Sequence, residues 1–207
     1  MKVKNIIVSV CATNCYVAYN EKSLEGLIID PGDEATRIMD EITKLHVKPV
    51  AILLTHGHFD HAGASEELAD HYDIQIYAAG AESGTLINSR INLSDWLGTP
   101  TEYRADVLLK DEQELELAGF KFRMLLTPGH TTGGCCYYFP YEGTVFTGDS
   151  LFCGSIGRTD FIGGSMSQLV NSVKEKLMIL PGDTICYPGH NEPTTIEEER
   201  VYNPYLV

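Results

Sequence analysis

Apolar and polar positions alternate in short runs from the first residues onward. Residues 5–10, 14–19 and 24–30 are rich in apolar and β-branched side chains and are separated by turn-forming or polar stretches, which predicts three strands in a meander. Pro31-Gly32 ends the third strand, and Asp33 is placed to cap a helix along which Ile38, Ile42 and Leu45 recur at helical spacing. Residues 50–54 are apolar without interruption, the pattern of a strand covered on both faces. A helix over 62–72 and a strand over 74–78 follow, so the residues after Leu54 occupy a strand-to-helix loop.

The second half returns to strands at 114–117, 120–126, 135–139 and 144–147, with Gly or Pro between them. A longer helix is expected over 165–179. Ser165 and Gln168 have capping-box spacing, Met166, Leu169, Val170, Val173 and Leu177 share a face, and Pro181-Gly182 stops the helix. A last strand over 184–187 delivers Pro188-Gly189-His190. Between the halves, the polar stretch 82–103 carries the one tryptophan, Trp96, and is expected at the rim. The halves echo each other without a break in composition. The expectation is an α+β chain folded as a single domain over 1–207, with two sheets packed together and helices outside.

Charge narrows the partners. With 15 Lys plus Arg against 29 Asp plus Glu, the formal net charge of -14 argues against nucleic acid, whose phosphates need a basic surface. An anionic small molecule is not excluded, because bound cations and a few basic groups can dominate the field of a cleft. Residues 6–10 are too short and interrupted for a secretory segment, and no stretch reaches membrane-spanning length. The expectation is a cytoplasmic protein with no membrane partner, whose six cysteines are reduced thiols. The pattern leaves the oligomeric state open.

Five of the seven histidines fall in three short motifs, each beside glycine at the end of an expected strand. In His56-Gly57-His58 the small central residue lets both imidazoles turn toward one point, and Asp60 and His61 follow in the same loop. His130 comes after Thr127-Pro128-Gly129, Asp149 after Gly148, and His190 after Pro188-Gly189. Imidazole and carboxylate together suit zinc, iron or manganese. Seven such groups are too many for one tetrahedral site and suffice for two metals about 3.5–4 Å apart that share a carboxylate, the spacing of dinuclear hydrolases. His46 and His71 lie outside any motif, at helix ends, where an imidazole suits the terminal carbonyls.

The Thr-His-x-His-x-Asp-His loop, followed by Thr-Pro-Gly-His-Thr, Thr-Gly-Asp and Tyr-Pro-Gly-His, resembles the metallo-β-lactamase superfamily along nearly the whole chain. The resemblance implies an αββα four-layer sandwich with the metal site at one edge of the two sheets. It also implies that His56, His58 and His130 hold one metal, that Asp60, His61 and His190 hold the other, and that Asp149 bridges them. Two divalent ions are then the expected cofactors, zinc first, with iron or manganese as alternatives. True β-lactamases of the superfamily carry cysteine where this chain has Asp149 and are usually exported, which counts against antibiotic hydrolysis. The stretches Gly148–Phe152 and Gly154–Phe161 are most similar to the short bacterial glyoxalase II-like proteins, or hydroxyacylglutathione hydrolases. Full-length glyoxalase II adds a C-terminal helical domain that completes its glutathione site. With Val207 as its last residue, this chain is expected to lack that domain, and Asn191-Glu192 stands where relatives often have glycine.

The implied chemistry is hydrolysis of a small-molecule thioester by a metal-bound hydroxide, with Asp60 as the catalytic residue that orients it and accepts its proton. Arg158 is the candidate grip for a substrate carboxylate, and an ion pair with Asp160 is its alternative role. A second resemblance, to the persulfide dioxygenases, runs through Gly-Arg-Thr-Asp-Phe and through Glu197-Glu198-Glu199-Arg200 with Asn203-Pro204. It implies a single iron on His56, His130 and Asp149. Cys11 and Cys15 read as buried small hydrophobes, and Cys135 and Cys136 as strand neighbours facing opposite ways. Cys153 stands near the metal loop and would be reactive if its pKa were lowered, while Glu197–Glu199 reads as a solvated helix face.

Overall fold

The computed structural model describes residues 1–207. The chain opens with the meander β1 (Lys2–Val8), β2 (Thr13–Tyr19) and β3 (Glu25–Ile29), whose successive pairs are antiparallel. Helix α1 (Ala35–Leu45) crosses to β4 (Lys48–Leu53), parallel to β3. Two short helices, α2 (Phe59–Ala62) and α3 (Ser65–Tyr72), lead to β5 (Gln75–Ala79), and a loop with the one-turn helix α4 (Ser83–Leu86) leads to β6 (Val107–Leu109). These six strands form the first sheet in chain order.

The second sheet is built from β7 (Glu114–Leu117), β8 (Phe120–Leu126), β9 (Cys135–Phe139) and β10 (Thr144–Gly148). A small hairpin, β11 (Leu151–Phe152) with β12 (Ser155–Ile156), interrupts it. Helix α5 (Met166–Lys176) then returns the chain to β13 (Ile185–Pro188), which lies parallel to β10, before β14 (Thr194–Thr195) and α6 (Ile196–Tyr202) close the fold. The sheet order is β14-β13-β10-β9-β8-β7. No helix is long and apolar enough to cross a membrane.

Three apolar clusters define the four layers. The middle one joins the inner faces of both sheets through Tyr16, Leu27, Leu53, Phe122, Tyr137, Phe139 and Phe146. Ile38, Ile42 and Leu68 pack α1 and α3 on the outer face of the first sheet, and Leu169, Val173 and Leu177 pack α5 on the outer face of the second. The αββα sandwich is therefore the observed architecture. Alternation across the pleat explains the vicinal cysteines: Cys135 joins the inner cluster and Cys136 the outer one.

Several local expectations are corrected. Helix α1 is not capped by Asp33, whose carboxylate accepts the Glu34 N–H at 2.7 Å while Glu34 itself takes the left-handed conformation ahead of the helix. The expected helix at 62–72 is two helices broken at Gly63-Ala64, where a side chain on Gly63 would strike the Gly32 carbonyl. Met166 leaves the apolar face of α5 and is exposed; Ser165 does cap that helix, accepting the Gln168 N–H. Cys11 is exposed rather than buried, and Cys15 is buried.

Nor is 197–199 a solvated face throughout. Glu199 is buried, and its carboxylate accepts from the Gly154 N–H, from Thr194 Oγ1 at 2.6 Å and from Asn203 Nδ2 at 2.7 Å. Asn203 donates in addition to the Ser155 carbonyl, so α6 ties down the β11–β12 hairpin. Glu199→Ala would strand these donors and is expected to cost about 2–4 kcal/mol in urea unfolding. A loss below about 0.5 kcal/mol, the level of an ordinary surface substitution, would contradict that role.

Candidate metal centre

Every ligand-type residue of the histidine motifs sits just past the end of a strand, at one edge of the sandwich. Strand β4 delivers His56 and His58, and α2 carries Asp60 and His61. The turns after β8, β10 and β13 deliver His130, Asp149 and His190. Asn14 and Tyr16 of β2 hold the last turn by donating to the Pro188 carbonyl, at 3.0 and 2.8 Å. Backbone space is tight here. A Cβ on Gly189 would lie 2.3 Å from Asp149 Oδ1 and 2.6 Å from His61 Cε1.

Two ligand sets converge. The coordinating atoms of His56, His58 and His130 lie within 4.8 Å of one another, as do those of Asp60, His61 and His190. Asp149 stands between them: Oδ1 is 3.4 Å from His61 Nε2, while Oδ2 is 3.5 Å from His130 Nε2 and 3.6 Å from His190 Nε2.

Outer hydrogen bonds fix which nitrogen of each ring carries its proton. Thr55 Oγ1 donates to Asp30 at 2.6 Å, which leaves that oxygen to accept from His56 Nδ1 at 3.1 Å. His61 Nδ1 donates to Asp30 Oδ2 at 3.0 Å, and His130 Nδ1 donates to the Arg158 carbonyl at 2.7 Å. The Nε2 lone pairs of all three rings are thereby turned inward, the arrangement by which outer partners orient metal ligands. Inside the cluster, His56 Nε2 and Asp149 Oδ1 are buried and have no hydrogen-bond partner. His130 Nε2 faces His58 Nδ1 at 3.0 Å, and His61 Nε2 faces His190 Nε2 at 3.4 Å. Coordinating atoms packed this closely, two of them buried without a hydrogen-bond partner, fit a site for borderline divalent cations, and the donor set suits zinc, iron or manganese.

The two sides differ electrically. Burial holds His56 well below the usual imidazole range, and the neighbouring His61, His58 and His130 add to that. His61 is equally buried, yet Asp60, Asp149 and Asp30 lift it to about 10. For Asp60 burial favours the neutral acid, but His61 and His190 outweigh it and keep the carboxylate ionised.

Sequence patterns did not mark two buried acids. Asp30, at the end of β3, also stands within ligand distance of His56 and His61. Its oxygens already accept from the Thr55 N–H, Thr55 Oγ1 and His61 Nδ1, so it orients the cluster rather than completing it. Glu82 accepts the Gly57 N–H at 2.9 Å, Thr131 Oγ1 at 3.0 Å and the Gly133 N–H at 2.7 Å, joining the His56 loop to the His130 loop. Burial raises its carboxyl to about 7 against these three donors. Residues 82–103 are thus only partly rim: Glu82 and Asn92 are fully buried and Trp96 is exposed.

Arg158 forms a two-pronged pair with Asp160, both contacts at 2.7 Å, and its guanidinium lies 4.1 Å from the Phe161 ring centre. Its carbonyl, not its charge, reaches the cluster. Cys153 is exposed, and partial burial together with Glu199 and Glu192 raises its thiol pKa, opposite to what reactivity requires. His46 and His71 stand at the ends of α1 and α3 as expected.

Gly189→Ala would push its methyl into Asp149 and His61. It is expected to weaken metal binding by at least about 10-fold, the scale of losing an outer partner, in competition with a chromogenic chelator. Unchanged affinity would show that the close approach does not shape the cluster.

Sequence comparison agrees with this geometry. Residues 8–190 match the metallo-beta-lactamase superfamily, and the chain belongs to that superfamily. Full-length relatives place it among the metallo-hydrolases. It is 38% identical to the probable metallo-hydrolase YqgX of Bacillus subtilis, over 100% of this chain and 98% of that one. It is 36% identical to the hydroxyacylglutathione hydrolase GloC of Haemophilus influenzae, again over 100% and 98%. Among solved structures, the BLEG-1 B3 metallo-beta-lactamase superposes with a TM-score of 0.94 at 39% identity, covering 99% of each chain. TTHA1623 in a di-iron-bound form gives 0.87 at 32% identity, covering 98% of this chain and 100% of that one. ETHE1 from Myxococcus xanthus gives 0.82 at 28%, covering 99% and 84%.

Proposed function

We propose that this protein is a thioester hydrolase working with two divalent cations. His56, His58 and His130 would hold one, Asp60, His61 and His190 the other, and Asp149 would serve both. The observation that carries the reading is the position of Asp149, with one oxygen toward His61 and the other toward His130 and His190. Ions held there would supply an acidified water and a Lewis acid for the thioester carbonyl. Asp60 orients the attacking water and takes its proton; Thr13 Oγ1 steadies the carboxylate by donating to its Oδ2 at 3.1 Å. His190, at the mouth, is the most open of the five clustered histidines. An alkyl thiolate, with a conjugate-acid pKa of about 8.5, can depart without being protonated first.

The GloC likeness supports a thioester as substrate. A single-iron dioxygenase on His56, His130 and Asp149 would leave Asp60, His61 and His190 converging on nothing, and the ETHE1 fold likeness makes this the alternative to test. The BLEG-1 likeness brings β-lactams back into consideration.

Metal-loaded protein should release thiol from S-lactoylglutathione or a simpler acyl thioester. It should neither consume oxygen with glutathione persulfide nor open a chromogenic cephalosporin at a comparable rate. Oxygen uptake or lactam opening without thiol release would overturn the proposal.

A further inference from the structure

Trp96 is the sole tryptophan of the chain, and it is 66% exposed. Burial does not explain it, since an exposed indole contributes little to the core. Its loop is nevertheless firmly held. Asn92 Nδ2 donates to the Leu86 and Thr101 carbonyls at 3.0 and 2.9 Å, and the Asn92 carbonyl accepts the Phe59 N–H at 2.8 Å. Phe59 lies between His58 and Asp60, so the turn bearing Trp96 is pinned to the metal loop itself.

A second ring closes the distance to the cluster. The half-buried Phe161 lies 5.5 Å from Trp96 and 5.5 Å from His58 between ring centres, and 6.2 Å from His130. An aromatic path therefore runs from the His58–His130 side of the centre out to solvent. The adjoining Leu97 and Ile162 are exposed as well. Charge along this side does not favour an anion. The Arg158 guanidinium beside Phe161 is already paired with Asp160. A hydroxylated, anionic acyl-glutathione would gain little from such a wall, whereas an acyl chain would gain by leaving water.

We infer that Phe161 and Trp96 form the acyl-binding wall and select thioesters whose acyl group is apolar. The inference rests on the thioesterase reading and names its substrate class. In the reaction the water oxygen bonds to the acyl carbon, a water proton passes to Asp60, and the carbon–sulfur bond breaks with its electron pair on sulfur. The proton held on Asp60 then passes to the departed thiolate, so water and thioester become carboxylic acid and thiol and Asp60 is again a carboxylate.

Because Trp96 is the only tryptophan, its emission reports directly on the wall. Hexanoate titrated into the metal-loaded protein should shift or quench that emission saturably, with acetate and lactate far weaker. In turnover, a hexanoyl thioester should exceed the acetyl thioester of the same thiol in kcat/KM by about 10-fold, since part of each added methylene leaves water along an open wall. Trp96→Ala, at an exposed position, should fold normally and reduce that ratio by at least about threefold, and Phe161→Leu should weaken hexanoate binding to the wild-type indole.

Emission indifferent to hexanoate, or a hexanoyl-to-acetyl ratio unmoved in Trp96→Ala, would overturn the inference. So would an emission change that follows protein concentration rather than the acid, which would assign the rings to contact between copies of the chain. A saturable hexanoate response in a protein that releases no thiol would support the wall and sink the thioesterase reading, so the two failures are distinguishable.

Discussion

Asp149→Ala is expected to lose metal and thioester turnover together, with kcat/KM falling by more than about a thousandfold, given that an outer partner alone is worth roughly 10–100-fold. The reason is positional. The Asp149 carboxylate reaches both ligand sets, with Oδ1 toward His61 and Oδ2 between His130 and His190, so removing it deprives both cations rather than one. The same substitution should not weaken the metal-free fold. In the metal-free protein Asp149 Oδ1 is a buried acceptor without a hydrogen-bond partner, so removing the side chain relieves that cost while Asp30 and Asp60 still face His61. Metal content and turnover should therefore collapse while the metal-free variant melts no lower than metal-free wild type. A variant that retained both metals and near-normal turnover would show that Asp149 does not serve the pair.

Metal removal carries the second large effect. A cation that binds only the folded chain stabilises it by about 4 kcal/mol at a thousandfold excess over its dissociation constant. For a chain of this size each kcal/mol moves the melting temperature by about 2–4 °C. Exhaustive chelation should therefore lower the melting temperature by about 10 °C or more, and added zinc should restore it. The stranded groups give the sign: without a cation, His56 Nε2 and Asp149 Oδ1 are buried acceptors with nothing to accept. Identical melting of chelated and metal-loaded protein would mean that the cluster holds no cation tightly.

Much of this centre is legible in the linear sequence because its ligands are local in presentation. Each lies within a few residues of a glycine and just beyond an apolar run, so pattern alone sets them on loops at strand ends. The strands at 114–117, 120–126 and 135–139 fall where pattern placed them: β7 and the start of β8 alternate between exposed and covered residues, whereas β9 is buried on both faces and reads as a run of Cys, Tyr and Phe. What escaped is held by partners distant in sequence. Glu82 meets Gly57 and Gly133 only in the folded chain, and no local feature separates it from a surface acid. Asp30 looks like an ordinary strand end before Pro31-Gly32, although it orients His61 and Thr55. Glu199 sits in an acidic run that reads as solvated until α6 folds back on Gly154. Arg158 was legible as a charge beside the motif, but its two-residue neighbour Asp160 holds it, and the aromatic side of Phe161 became visible only in space.

The most direct measurement is the metal content of protein purified without added metal, quantified per chain by elemental analysis. Two ions per chain drawn from zinc, iron and manganese, falling toward zero in Asp149→Ala, is the result this account predicts. A reproducible single iron per chain, retained when Asp60 and His190 are replaced by alanine, would contradict it.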